Sequence, residues 1–201
     1  LTDTRPAATT VDGGAAATGA IPAGTSRAIP IAGRAGIPTT GVDAVVVNLT
    51  GINPTTTTYL TAYPGGATTP NTSTINLTPN GVTPNLAVVK LGPDGTINIY
   101  NAAGQTDIAV DVLGYIPTTT SYTPITPVRA LDTRITGPAI GPATTRVLPL
   151  AGTNGIPADA TAVVITLTGV EPTTATYLSA YPTGATTPTT STLNLAPRDI
   201  R

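Results

Sequence analysis

Residues 44–78 read AVVVNLTGINPTTTTYLTAYPGGATTPNTSTINLT, and residues 162–196 read AVVITLTGVEPTTATYLSAYPTGATTPTTSTLNLA. The second block follows the first without a gap at a displacement of 118 positions, matching Ala44 to Ala162, Pro54 to Pro172 and Asn76 to Asn194. A self-match of this length makes duplication the first architectural fact about the chain. Inside the block the side chains alternate. Val45, Val47 and Leu49 face one way and Val46, Asn48 and Thr50 the other; Leu60 and Ala62 oppose Tyr59, Thr61 and Tyr63. That period of two is the pattern of strands with one buried face.

The repeat reaches upstream of the block. Asp3-Thr4-Arg5 recurs as Asp132-Thr133-Arg134, Ser26–Gly33 as Thr145–Gly152, and Gly36-Ile37-Pro38 as Gly155-Ile156-Pro157. The displacement drops from 129 at the first motif to 119 and then 118, so the first copy holds about ten extra residues. They fall in the Gly/Ala-rich stretch 7–21, which reads as a loop insertion. Residues 84–116 have no second counterpart, and Ser121–Ala130 has none before residue 1. The expected organisation is a first β-repeat module over 1–116, a Thr/Pro-rich joint over 117–127 and an incomplete second module over 128–201. Such a pattern suggests a window cut from a longer array, or a subunit completed by its neighbours.

Downstream of the block, Leu86 and Val88 alternate with Ala87 and Val89, so that strand reads as buried on both faces. Strands at 97–100 and 107–112 follow. Asp94-Gly95 and Gly104 separate the three, which predicts a meander of two hairpins over 85–115.

Composition supports an all-β chain of tandem sandwich-like or barrel-like modules. Of 201 residues, 44 are Thr, 21 Gly and 21 Pro, while Phe, Trp, Met, His and Cys are absent. Thr, Val and Ile favour pleated strands, and frequent Pro and Gly exclude long helices. Charged residues make up 9% and the net charge is −1, which offers phosphate backbones no basic face, so no nucleic-acid partner is expected. No apolar run approaches the ~20 residues that span a bilayer as a helix. Zero Cys removes disulfides, zinc fingers and thiol chemistry together.

Few residues invite chemistry. The two Asp-Thr-Arg copies resemble the paired Asp-Thr-Gly of aspartic proteases, where two carboxylates share a proton. Here Arg stands in place of Gly, and Arg two positions along a strand points to the Asp side. Structural ion pairs among Asp3, Arg5, Arg27, Asp132, Arg134 and Arg146 are the expectation, since a guanidinium keeps the carboxylate ionised. Asp107 and Asp111 sit on one strand face, but four strand residues set them ~13 Å apart, too far for either glycosidase geometry. Without His, no Ser–His pair can form, and no phosphate loop is present. No catalytic residue, metal site or cofactor is expected. Tyr59, Tyr63, Tyr177 and Tyr181 recur in register; they are expected to cover the core edge with their hydroxyls wet, and stacking on sugars is the alternative that makes them candidate carbohydrate contacts. Asn48, Asn71 and Asn76 lie in glycosylation sequons, and the Thr clusters, 186–190 among them, suit O-glycans.

The ordered motifs resemble a β-repeat family of secreted and cell-surface proteins of actinobacteria and related bacteria. The family's opening motif stands here as Pro127-Val128-Arg129-Ala130-Leu131-Asp132-Thr133-Arg134. Its Gly-Ile-Pro turn stands at Gly155–Pro157, its Leu-x-x-Tyr-Pro strand at Leu60–Pro64 and Leu178–Pro182, and its Ser-x-x-Asn-Leu segment at Ser73–Leu77 and Ser191–Leu195. Its closing Val-Asp-Val-x-Gly-Tyr strand stands at Val110–Tyr115. The resemblance implies non-catalytic surface modules. The expected function is an extracellular or cell-surface structural protein that self-associates into an oligomer or filament, with strand completion between subunits as one route; the alternative is a cell-wall glycan-binding module of a larger secreted hydrolase.

Overall fold

The computed structural model describes residues 1–189 and 191–201 and contains strands, turns and loops with no helix. It divides into two compact units, Leu1–Val128 and Arg129–Arg201.

The first unit is a β-sandwich. Its strands are β1 (Thr2–Asp3), β2 (Ile21–Pro22), β3 (Thr25–Pro30), β4 (Val42–Ile52), β5 (Thr58–Pro64), β6 (Ile75–Leu77), β7 (Val82–Lys90), β8 (Thr96–Asn101) and β9 (Gln105–Pro117). One sheet runs β1-β9-β4-β7, with β2 also on β9; the other runs β3-β8-β5-β6, and all pairings are antiparallel. The Val-rich β4 is central because it takes a long strand on each edge, β7 and β9. Its inward residues Val45, Val47 and Leu49 join Ile108 and Val110 of β9. They pack with Ile29, Leu60, Ile97 and Ile99 of the other sheet into one core. With no Phe or Trp, β-branched and Leu side chains fill that core, and each buried aliphatic contributes about 1.5–3 kcal/mol. Gly51 is a place where no side chain fits, since an added Cβ would collide with the buried Leu77.

The strands after β6 depart from the meander expected of them. β7 and β9 both lie beside β4, whereas β8 crosses to the other sheet between β3 and β5; neither β7–β8 nor β8–β9 is a paired hairpin. Gly92–Gly95 still closes a turn, with the Gly95 N–H donating to the Gly92 carbonyl at 2.9 Å. The strands it joins diverge because better-matched partners already flank each of them. β7 is an edge strand, not one buried on both faces: Val82 and Leu86 are about three-fifths exposed. The stretch 7–21 is not wholly loop, for Ile21 sits in β2 and is buried against the core. β9 extends to Pro117, and Pro124 in the Thr/Pro-rich segment is buried.

The second unit repeats the local geometry of the first with far fewer strands. Its named elements are β10 (Thr176–Leu178) and β11 (Leu193–Leu195), an antiparallel pair in the register of β5 and β6. Glu171 and Asn53 both adopt φ of 46°, and Arg198 and Asn80 take φ of 62° and 58°. The Gly169 position again meets a Leu, here Leu195. Yet Ala162–Thr168, the counterpart of β4, forms no ladder among the described residues.

Candidate functional site

The two Asp-Thr-Arg motifs adopt one geometry. In the first, the Arg5 Nε donates to Asp3 Oδ1 at 3.0 Å and Nη2 to Oδ2 at 2.6 Å, while the Arg5 backbone N–H donates to Oδ1 at 3.1 Å. In the second, the same three distances to Asp132 are 2.9, 2.7 and 3.1 Å. A fork of two parallel charge-assisted bonds holds each carboxylate ionised, which opposes proton sharing. The Arg134 side-chain bonds lower Asp132 from 3.8 to about 2, and the Arg5 bonds lower Asp3 in the same direction. Folded values below the unfolded one mean that each pair stabilises the fold above the unfolded value and that this contribution is lost as pH falls through the folded one. We expect the Asp132 carboxyl carbon to titrate by NMR near pH 2, and Asp132→Asn to remove acid sensitivity between pH 3.8 and about 2. A midpoint at the ordinary aspartate value would contradict the clamp.

The middle residue differs between copies. Thr4 is fully buried, donates to Asp107 Oδ1 at 2.6 Å and accepts from the Ile108 N–H at 2.9 Å, tying β1 to β9. Asp107 therefore serves a threonine hydroxyl, while Asp111, four residues on, is exposed.

Arg27 and Arg146 are not ion-pair partners. Arg27 Nη1 donates to Thr18 Oγ1 at 2.8 Å and to the Gly19 carbonyl, and Nη2 donates to the Ala20 carbonyl. Arg146 donates to the Pro138 and Thr136 carbonyls at 3.3 and 3.0 Å. Each guanidinium gathers carbonyls of the loop that follows its Asp-Thr-Arg motif, because those loops offer oxygens and no carboxylate within reach. An ion pair that repeat comparison missed joins Arg34 to Asp12, with Nε–Oδ2 and Nη2–Oδ1 both at 2.8 Å. Asp12 lies in the insertion and Arg34 aligns with Thr153, so no second copy flagged them. These bonds hold Asp12 well below the usual carboxylate range.

The four tyrosines do not form one stacking face. Tyr63 is buried, its hydroxyl 2.7 Å from Ser26 Oγ and 3.0 Å from Thr69 Oγ1. Residues 65–74 fold back over the outer face of β5, with Thr61 donating to the Thr72 carbonyl and the Ala62 N–H donating to Thr74 Oγ1. That covering loop buries the Tyr63 ring, the packing role weighed against sugar stacking. Tyr181 repeats the network with Thr145 at 2.8 Å and Thr187 at 3.3 Å. Tyr59 is half-buried and tilts against Tyr100 with ring centroids 6.2 Å apart, and Tyr177 is 57% exposed. Tyr63→Phe should cost about 1 kcal/mol in urea unfolding, the net worth of its hydroxyl bonds. A change indistinguishable from zero would argue that the hydroxyl network adds nothing. Of the sequon residues, Asn48 is half-buried within β4, Asn76 lies in β6, and Asn71 is exposed in the loop. Thr190 of the 186–190 cluster lies outside the described residues.

The most unusual surface is in the second unit. Val163, Val164 and Ile165 are 43%, 67% and 51% exposed, while Val45 and Val47, the counterparts of Val163 and Ile165, are 0% exposed. The side chains are nearly the same; the flanking strands are what differ. Asp111, Leu113 and Tyr115 on the free edge of β9 also line an open groove of about 430 Å³ with Leu1, Val11 and Ile37.

Comparison with protein-family models, with curated proteins and with solved structures returned no match. Among the described residues no helix is long and apolar enough to cross a membrane, and no group of three or more His, Cys, Asp or Glu is placed to hold a metal ion.

Proposed function

We propose that this chain is an extracellular structural repeat protein whose copies join by β-strand pairing into a surface fibre, sheath or stalk. The observation that carries this reading is the repetition in the structure: β10 and β11 pair in the register of β5 and β6, and both Asp-Thr-Arg motifs close the same two-bond fork. Tandem copies of one β module build extended surfaces, and a sheet edge such as β7 is a template for another chain. The ordered family motifs, the low charge and the clamps that spend the Asp carboxylates on Arg support a structural role over a chemical one. Negative-stain electron microscopy with sedimentation of the purified chain tests it. Concentration-dependent filaments or oligomers are the expected result; a monomer at every concentration would rule this function out.

A second reading, binding to a cell-wall or surface glycan, draws on the exposed Tyr177. Saturable binding in a peptidoglycan pull-down, lost on Tyr177→Ala, would favour it. Tyr63 drops out of that test because its ring is buried.

A further inference from the structure

In the first unit, the sheet β3-β8-β5-β6 turns Leu60, Ile75, Leu77, Ile97 and Ile99 into the core. Parity therefore sends Tyr59, Asn76, Asn98 and Tyr100 to its outer face, where each is half-buried. Tyr59 stands opposite Asn76 of β6, and Tyr100 stands opposite Thr61 of β5, one diagonal step from Tyr59. That diagonal lets the two rings meet, with centroids 6.2 Å apart and planes tilted by 53°.

The loop 65–74 borders this pair. The Thr61 hydroxyl, opposite Tyr100, donates to the Thr72 carbonyl, and the Tyr63 hydroxyl is held between Ser26 and Thr69. Tyr63 is thus spent on the fold, whereas the Tyr59 and Tyr100 hydroxyls meet no partner among the described residues. Charge is almost absent from the sheet. Its four strands carry one charged residue, Arg27, and that guanidinium is bonded to Thr18, Gly19 and Ala20. Two aromatic rings beside two amides, with no free charge, suit an uncharged sugar. Its C–H face lies on a tyrosine ring and its hydroxyls exchange hydrogen bonds with the amides, while a uronate or phosphate would find no counter-ion. Tyr177 and Asn194 stand opposite each other as Tyr59 and Asn76 do, but residues 129–201 hold no counterpart of Tyr100.

We infer that Tyr59 and Tyr100, flanked by Asn76 and Asn98, form a subsite of the first unit for one neutral pyranose ring of a glycan. The inference rests on the glycan-binding reading and moves its contact from the single Tyr177 to the aromatic pair.

Two probes test it on the full chain: chitohexaose, a soluble neutral oligomer of N-acetylglucosamine, and purified peptidoglycan in a pull-down. With seven Tyr and no Trp, tyrosine fluorescence and ring resonances report on the subsite directly. The wild type should bind saturably, and the ring signals of Tyr59 and Tyr100, assigned through their Phe variants, should shift while that of the buried Tyr63 stays in place. Tyr100→Thr and Tyr59→Thr keep strand-forming residues and should each weaken binding roughly tenfold. Tyr100→Phe keeps the ring and should stay within about twofold of the wild type. Circular dichroism checks that each variant is folded; where a Thr variant is not, the ring shifts of the wild type decide. Saturable binding that a folded Tyr100→Thr leaves undiminished, or that leaves the Tyr59 and Tyr100 signals unmoved, would overturn the subsite and leave the glycan reading standing, all the more if Tyr177→Ala abolishes that binding. A wild type that binds neither probe sinks both.

Discussion

Val47→Asp should unfold the first unit, whereas Ile165→Asp, the same kind of change at the matching repeat position, should leave that unit's urea midpoint in place. Val47 is 0% exposed, in the middle of β4 and packed within the sandwich core. A carboxylate there has no cation to meet, and an unpaired buried charge costs several kcal/mol even after it takes up a proton. A loss of about 4 kcal/mol or more is expected, a large share of the 5–15 kcal/mol that holds a typical domain. Ile165 is 51% exposed, so an added carboxylate there stays hydrated, and the change should fall within about 0.5 kcal/mol. Equal destabilisation by both would mean that Ala162–Thr168 is packed like β4.

The second large effect is expected at Asn101, at the end of β8. Its side chain is fully buried and uses both ends. Oδ1 accepts from the Thr58 hydroxyl at 2.8 Å and the Thr106 hydroxyl at 3.4 Å; Nδ2 donates to the Ile21 carbonyl at 2.9 Å and the Gly104 carbonyl at 3.2 Å. One amide thus links β2, β5 and β9 to the turn after β8. Thr58 itself accepts from the Ala103 N–H at 2.9 Å, so the network continues into the backbone. Asn101→Leu keeps the approximate volume but leaves two hydroxyls and two carbonyls without this partner inside the protein. Each such orphan costs about 1–3 kcal/mol, and water entry recovers part, so a net loss of roughly 3–5 kcal/mol is expected. Thermal unfolding of Asn101→Leu beside Thr106→Val should show non-additive losses, since both act in one network. Additive losses would mean that the amide serves its partners independently.

Asn101 also marks where reading the chain as a string stops. Parity puts Asn101 on the face of Ile97 and Ile99, unlike Asn98, but nothing in Thr96–Asn101 names the groups it meets there. Its role comes from strands 43 and 80 positions away in sequence. Arg27 and Arg146 were harder still. An Arg that recurs downstream of an Asp motif in both copies looks like a salt-bridge partner, but loop oxygens take its hydrogen bonds. Asp12 and Arg34 pair because the insertion folds back on the loop after β3, and a segment present once leaves no repeated signal.

Sequence by itself determined strand chemistry and the duplication. Alternation of Val, Ile and Leu with Thr and Asn is a local property, so β4, β5, β6 and the Asp–Arg forks two residues apart were legible from neighbours along the chain. Tertiary structure decided which strands pair. The Gly-Pro-Asp-Gly turn is compatible with a hairpin or a crossover, and only competition for partners sends β8 to the opposite sheet from β7 and β9. The same competition separates the two copies of one sequence. β4 is buried because two strands flank it, and Ala162–Thr168 is exposed because none does, for a strand's burial belongs to its neighbours and not to its own residues.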